Sequence, residues 1–228
     1  MSDENYRDYL RDEWQLFARD PKRTEESLKV ARGLRLSRIL DVGCGAGQEM
    51  LPFLTSGDVA GIGVDVSSES GLVGLSLFEQ YAPAAIVKFC RARGEALPFL
   101  NESFDLVICR LALPYMNNSV ALSEMARVLR AGGGLWLQIH HARYYVKKLT
   151  TGMFEFNIRS VVHAARVLAT GLWYHSVGVQ PSNRLTATGE TFQTEWLLRK
   201  ELRGHGLFID KRIENENDLA PSFLIRKG

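Results

Sequence analysis

Asp41, Gly43, Gly45, Gly47, Gln48 and Asp65 are the residues whose types and spacing admit chemistry most directly, because two carboxylates bracket a turn of three alternating glycines. Ile39, Leu40 and Val42 read as a strand buried on both faces, which turns at Gly43, Cys44 and Gly45 and enters a helix start near Gly47 and Gln48. Glycines there let the backbone approach a ligand without Cβ obstruction. A helix that starts at such a turn offers free N–H groups and a positive dipole end to an anionic group. A second strand over residues 59–64 runs into Asp65, whose carboxylate can accept both hydroxyls of a ribose. Asp41 supplies a second carboxylate, so one suits a ribose and the other a cationic group such as an amino-acid ammonium. The chemistry is that of holding a nucleotide-like ligand. Gln48 stands where a dinucleotide fingerprint wants its last glycine, which separates this turn from the nicotinamide-binding pattern.

The elements that must position these groups alternate between strand-like and helical runs. In 228 residues with 46% hydrophobic composition they predict one α/β domain with a single substantial core. Tyr6, Tyr9, Leu10, Trp14 and Phe17 recur at helical spacing, and this N-terminal helix is either ordinary packing, for Trp14 and Phe17, or a lid, for Tyr6 and Tyr9. Asp20 and Pro21 read as an N-cap and first helical position, with Gly33 closing that second helix. A crossover helix over 67–81 joins the second strand to a third over 86–89, as parallel strands require. A fourth strand spans 103–110, and a fifth spans 135–139 and ends at His140 and His141. A helix carrying Trp196, Leu197, Leu198 and Leu202 stops at Gly204 and Gly206, ahead of two final strands over 207–209 and 223–225 that pair antiparallel. Divided by role, residues 1–35 hold N-terminal helices, 36–140 the core, 141–190 a helical cap inserted after the fifth strand, and 191–228 the C-terminal helix and strand pair.

The cap segment is too long for an ordinary connection. Arg159, His163 and Arg166 fall on one face of its helix, which predicts an amphipathic cover over a substrate pocket. These same residues interrupt its apolar run and exclude a transmembrane helix. Residues 141–184 carry Arg143, Lys147, Lys148, Arg159, Arg166 and Arg184 against Glu155 alone, although the whole chain has a net charge of only +2. That excess is either a solvated helix face or a surface for an acidic substrate or an anionic membrane. The three cysteines, Cys44, Cys90 and Cys109, lack metal-ligand spacing, and no metal site is expected. The acidic start lacks the regions of a signal peptide, which implies a cytoplasmic location. Basic and aromatic residues do not alternate as single-stranded nucleic acid requires.

Residues 40–47, Leu-Asp-Val-Gly-Cys-Gly-Ala-Gly, resemble the first motif of the class I S-adenosylmethionine-dependent methyltransferases, and the resemblance continues in order. Ala92-Arg93-Gly94-Glu95-Ala96-Leu97-Pro98-Phe99 is similar to the segment after that family's third strand, with Arg93 replacing an Asp that accepts from the adenine amino group. Arginine carries donors only and cannot make that bond. Residues 103–110 and 121–135 resemble the fourth strand and the helix, glycine turn and fifth strand that follow.

The resemblance implies a Rossmann-like, mostly parallel seven-stranded sheet with helices on both faces and the last strand antiparallel. It implies S-adenosylmethionine as cofactor. Backbone around Gly43, Cys44, Gly45, Gly47 and Gln48 would meet its amino-acid portion, with Asp41 near. Asp65 would take the ribose, Val66 and a backbone N–H of Gly94 or Glu95 the adenine, and Arg110 and Leu111 would lie near the methionine moiety. The family's amine methylases follow the fourth strand with Asn/Asp-Pro-Pro-aromatic, whereas this chain reads Ala112-Leu113-Pro114-Tyr115. A small-molecule acceptor methylated on oxygen or carbon is therefore expected, anionic if the basic cap faces it. His140 and His141 are the candidate bases. Each is alternatively a histidine that only hydrogen-bonds a loop, and Tyr144, Tyr145, His163, Trp173, Tyr174 and His175 are further candidates to line the pocket. A cofactor-binding scaffold without turnover and a nicotinamide oxidoreductase are the competing readings.

Overall fold

The computed structural model describes residues 3–55, 58–181, 190–215 and 218–228. The apolar runs form β1 (Arg38–Val42), β2 (Ala60–Asp65), β3 (Ile86–Arg91), β4 (Phe104–Arg110), β5 (Leu129–Gln138), β6 (Leu207–Ile213) and β7 (Ser222–Lys227). They make one seven-stranded sheet in the order β3-β2-β1-β4-β5-β7-β6. β1 to β5 pair in parallel, and β7 runs antiparallel between β5 and β6. Strand order reverses between β1 and β4, and in open α/β sheets the crevice beyond the carboxyl ends at such a switch is where ligands bind.

Alternation along each strand divides the core into two layers. Ile39, Leu106, Ile108, Trp136 and Leu224 point to one face, where they meet Leu10 and Trp14 of α1 (Asp3–Arg19), Val30 of α2 (Pro21–Ala31), Phe53 of α3 (Leu51–Leu54) and Val73 and Phe78 of α4 (Ser68–Tyr81). Leu40, Val107, Leu135, Leu137, Phe223 and Ile225 point to the other, against Leu122 and Met125 of α5 (Asn118–Val128) and Leu198 and Leu202 of α8 (Glu195–Arg203). Two more helices, α6 (Ala142–Phe154) and α7 (Ile158–Val177), lie between β5 and α8 in sequence. Side-chain caps fix the helix starts: Asp20 accepts from Lys22 N–H, Ser67 from Glu69 N–H and Asn117 from Val120 N–H.

The structure corrects the sequence reading in two places. The glycines at 132–134, expected as a turn before the fifth strand, form an irregularity within β5, which begins at Leu129: Gly132 has φ +72° and the register with β4 passes from Phe104↔Leu129 to Leu106↔Gly134. Gly134 fits there because a Cβ would crowd Leu34 and Leu224, each at 3.1 Å. The second difference concerns which face of the inserted helix is buried. α6 and α7 pack on each other around Tyr145, Val167 and Phe192. α7 turns Ala164, Val167, Gly171 and Tyr174 inward and leaves Arg159 and Arg166 exposed, and among the described residues α7 does not line the cleft at the strand ends. Residues 182–189 of the expected cap, including Arg184, lie outside the described residues.

Candidate cofactor and acceptor cleft

The glycine turn is pinned by the strand beside it. Gly43 and Cys44 both donate their N–H to Val64 O, at 2.8 and 3.1 Å. Gly43 has φ +72°, and a Cβ there would overlap the Cβ of Ala112, so this position admits no side chain. Gly45 donates its N–H to Asp65 Oδ2 at 3.2 Å, and Ser67 donates to Asp65 Oδ1 at 2.9 Å. Two backbone donors thus fix the Asp65 carboxylate in orientation, and each oxygen keeps a further acceptor lone pair. Gly47 differs from its neighbours, because a Cβ there would press on Met50 and Phe89 at 2.9 Å and the residue is not on the cleft wall. The expected helix start is also reduced. Gln48–Met50 is one 3₁₀ turn, followed by the four-residue α3, too short to aim a developed dipole at an anion.

Beyond these strand ends opens a cleft of about 710 Å³. Its walls include Tyr6 and Tyr9 of α1, the turn residues Gly43, Cys44, Gly45 and Gln48, then Asp65, Val66, Arg93, Gly94, Glu95, Leu111 and Tyr115. Val66 is 59% exposed, which leaves its apolar face free for a flat ring. The two alternatives for α1 are realised on different turns: Trp14 and Phe17 are buried, and Tyr6 and Tyr9 stand over the cleft. Arg93 donates to Glu95 Oε1 at 3.2 Å, and Asn117 N–H donates to the same oxygen at 3.0 Å. Partial burial alone would raise Glu95, but these donors hold its carboxyl below the usual range. An acceptor therefore sits beside the arginine that replaced one.

The polar end of the cleft carries excess negative charge. Asp41 is 2% exposed, and its Oδ2 is buried without a hydrogen-bond partner. Burial first, and then Glu49, raise its pKa well above the ordinary carboxylate value. Arg110 donates to Gln138 Oε1 at 2.8 Å, to Glu49 Oε2 at 2.6 Å and to Glu26 Oε2 at 3.2 Å, and lies 4.6 Å from the Trp136 ring centre. Arg23 also pairs with Glu49 and lies 4.0 Å from Glu13. Three glutamates thus face two arginines beside Asp41, and a cationic ligand group would offset both the excess charge and the burial that disfavours the Asp41 carboxylate. Arg110 is on the wall as expected, with each guanidinium nitrogen already engaged. Leu111 follows in the left-handed region at φ +59°, an unfavourable setting for a branched side chain.

His140 lies on the cleft wall beside this end, 9% exposed, with its ring stacked on Tyr144 at 4.4 Å. Its Nδ1 is 3.2 Å from the hydroxyl of Tyr145, and that hydroxyl donates to Glu190 Oε1 at 2.5 Å. Tyr145 has one proton to give and gives it to the carboxylate, so His140 donates from Nδ1 and its Nε2 carries the lone pair. Burial, followed by repulsion from Lys148, lowers the His140 pKa to about 4. Glu190 is 3.3 Å from His163 Nε2 on α7, which extends the chain of contacts to the cap. His141, the other expected base, is not on the wall. It caps α6 by accepting from Arg143 N–H at 3.2 Å, because successive residues leaving the strand face opposite ways.

Of the other expected lining residues, Tyr144 reaches the cleft, while Tyr145, His163, Trp173, Tyr174 and His175 do not line it. Glu13, Glu26, Glu49, Gln138 and Glu190 escaped the sequence reading. Glu49 alone carried a local signal, directly after the glycine turn; the others come from distant segments that the fold brings together. No group of three or more His, Cys, Asp or Glu among the described residues is arranged to hold a metal ion, and no helix among them is long and apolar enough to cross a membrane.

The fold is Rossmann-like, and its cleft offers acceptors suited to a ribose and to a cationic group. Residues 39–133 match the family model described as a methyltransferase domain. An O-methyltransferase of Aspergillus nomiae is 37% identical over 129 residues, which cover 51% of this chain and 57% of that protein. A tRNA U34 carboxymethyltransferase of Hahella chejuensis is 28% identical over 171 residues, 72% of this chain and 52% of that protein. A solved S-adenosylmethionine-dependent methyltransferase of Methanosarcina mazei superposes with a TM-score of 0.62 at 21% identity, covering 87% of this chain and 96% of that one. The chain spans about half the length of the curated relatives it matches. Residues 39–133 are thus similar to a methyltransferase domain, and the fold is shared with the class of S-adenosylmethionine-dependent methyltransferases. The cofactor of that class fits the residues present: Asp65 is a pre-oriented acceptor, Asp41 Oδ2 is an orphaned acceptor in a negative pocket, and Gly43 keeps the turn open.

Proposed function

We propose that this chain transfers the methyl group of S-adenosylmethionine to an oxygen or carbon of a small molecule, with His140 as the base. The observation that carries this reading is the convergence of the Asp65 and Asp41 acceptors and the His140 imidazole on one cleft. Asp65 holds the ribose hydroxyls, Asp41 and Glu49 balance the ammonium, Val66 packs on the adenine, Gly94 and Glu95 meet its edge, and Tyr6 and Tyr9 exclude water. When bound, the cofactor supplies an electrophilic methyl on a sulfonium whose departure needs no proton. The protein's remaining tasks are alignment at near-attack distance and removal of the acceptor's proton. His140 Nε2 takes that proton while its Nδ1–H stays on Tyr145, and Glu190 balances the developing charge through the Tyr145 hydroxyl. Lys148, whose charge already depresses His140, favours an acceptor that ionises, such as a phenol or enol. The O-methyltransferases among the relatives support oxygen as the accepting atom.

The test couples binding to turnover. S-adenosylhomocysteine at a hundredfold excess over its Kd should stabilise the fold by ~2.7 kcal/mol, and a nicotinamide dinucleotide should not. Asp65→Ala should abolish the shift. A phenol and enol panel with a methyl-labelled donor should then yield a product whose formation drops about 10²-fold or more in His140→Gln. Binding without methylation of any member would refute the acceptor class, and absence of binding would refute the enzyme reading itself.

A further inference from the structure

α7 is apolar on two opposite faces. Ala164, Val167, Gly171 and Tyr174 point inward and are buried. On the opposite face Ile158, Val162, Leu172 and Trp173 are 76%, 41%, 61% and 55% exposed, with exposed Ala165 and Ala169 completing a stripe of helical period. The turn from α6 extends this surface with Phe154 and Phe156, 84% and 90% exposed. Phe156 sits in the left-handed region at φ +51°, where glycine would be the relaxed choice. A strained aromatic side chain without burial adds nothing to the fold, which directs attention to contacts outside it.

We propose that this hairpin docks on an anionic lipid surface, with α7 lying in the interface plane. Charge selects this occupant. Arg143, Lys147, Lys148, Arg159 and Arg166 stand on the hairpin against Glu155 alone. The hairpin's ion pair among the described residues joins His163 to Glu190 and engages none of these five. Arg159 and Arg166 line one edge of the apolar stripe, as in helices that bury one face at the acyl boundary and keep cations at the headgroups. A second copy of the chain docked by two-fold symmetry would bring the same cations face to face, whereas acidic headgroups neutralise them.

Flotation of the purified chain with vesicles of phosphatidylcholine, alone and mixed with phosphatidylglycerol, tests the proposal. Binding is expected to the mixed vesicles only and to weaken as salt is added. Arg159→Glu with Arg166→Glu should weaken it at least roughly fivefold per residue, which is ~1 kcal/mol for each lost cation near the surface. Leu172→Ser with Phe154→Ser should abolish it, while circular dichroism and urea unfolding report an unchanged fold, since both side chains are exposed. Absence of flotation, equal binding to both vesicles, or binding indifferent to all four substitutions would overturn the proposal. So would a dimer in light scattering that Leu172→Ser dissociates, which would assign the face to a second copy.

Discussion

Replacing His140 by glutamine should change how stability depends on pH, with a sign and size set by the imidazole's surroundings. The ring is 9% exposed, stacked on Tyr144, and its pKa is lowered from an ordinary 6.5 to about 4 by burial and by Lys148. Above pH ~6.5 the ring is neutral in both folded and unfolded chains, so stability does not change through this group. Below that value the unfolded chain binds a proton that the folded chain refuses, and each further pH unit costs about 1.4 kcal/mol until the folded pKa is reached. The gap between the two values corresponds to about 3 kcal/mol in all, of which about 2 is lost between pH ~7 and ~5. Urea unfolding of both proteins across that range isolates the contribution, because every other titrating group is shared. The wild-type curve should fall about 2 kcal/mol further than that of His140→Gln. Parallel curves would show that the ring titrates as in free solution, and the argument from its burial would be refuted. The same depression predicts that the acid limb of kcat/KM lies near pH ~4 to 5, below the range of an ordinary histidine.

Two further substitutions test the walls of the cleft. Gly43→Ala combines a left-handed backbone with overlap onto Ala112, so it should cost about 2–4 kcal/mol in urea unfolding and abolish S-adenosylhomocysteine binding. Arg110→Leu leaves Glu49 and Glu26, whose side chains are 6% and 11% exposed, without their shared partner. Glu49 keeps Arg23, so the loss falls mainly on Glu26; the variant should destabilise by about 3–5 kcal/mol, partly recovered when Glu26→Gln removes the stranded charge.

The parts of this fold that could be read from the sequence are those written in local patterns. The strand into Gly43, the N-cap at Asp20 and the antiparallel final pair each rest on adjacent residues, and the structure contains all of them. Gly132 to Gly134 carried two signals at once: Gly132 takes the left-handed backbone of a turn, while Gly134 is glycine because Leu34 and Leu224 crowd the strand there, and only the packed fold separates the two. His140 and His141 could not be separated by sequence, since which one faces the cleft depends on where β5 ends. The charge network escaped for a different reason. Glu26, Glu49, Arg110 and Gln138 come from α2, the glycine turn, β4 and β5, and only the fold sets their distances. The helical insertion after β5 was legible, but both faces of α7 are apolar, so periodicity could not tell the inward face from the outward one.

The position of β7 bears on how the chain acquires its structure. β5 is completed on its open side only by residues 222–227, and Trp136 Nε1 reaches Ser222 Oγ across 86 residues of sequence. Until that segment is available, the β5 edge presents unpaired N–H and C=O groups, and β6 has no neighbour in the sheet through which to join it. During synthesis the nucleotide-binding half can assemble early from β1 to β4, whereas the half carrying Gln138 and the approach to His140 waits for a contact of long loop closure. Competence to bind a ligand and resistance to aggregation are thus acquired at different moments, and the second depends on β7.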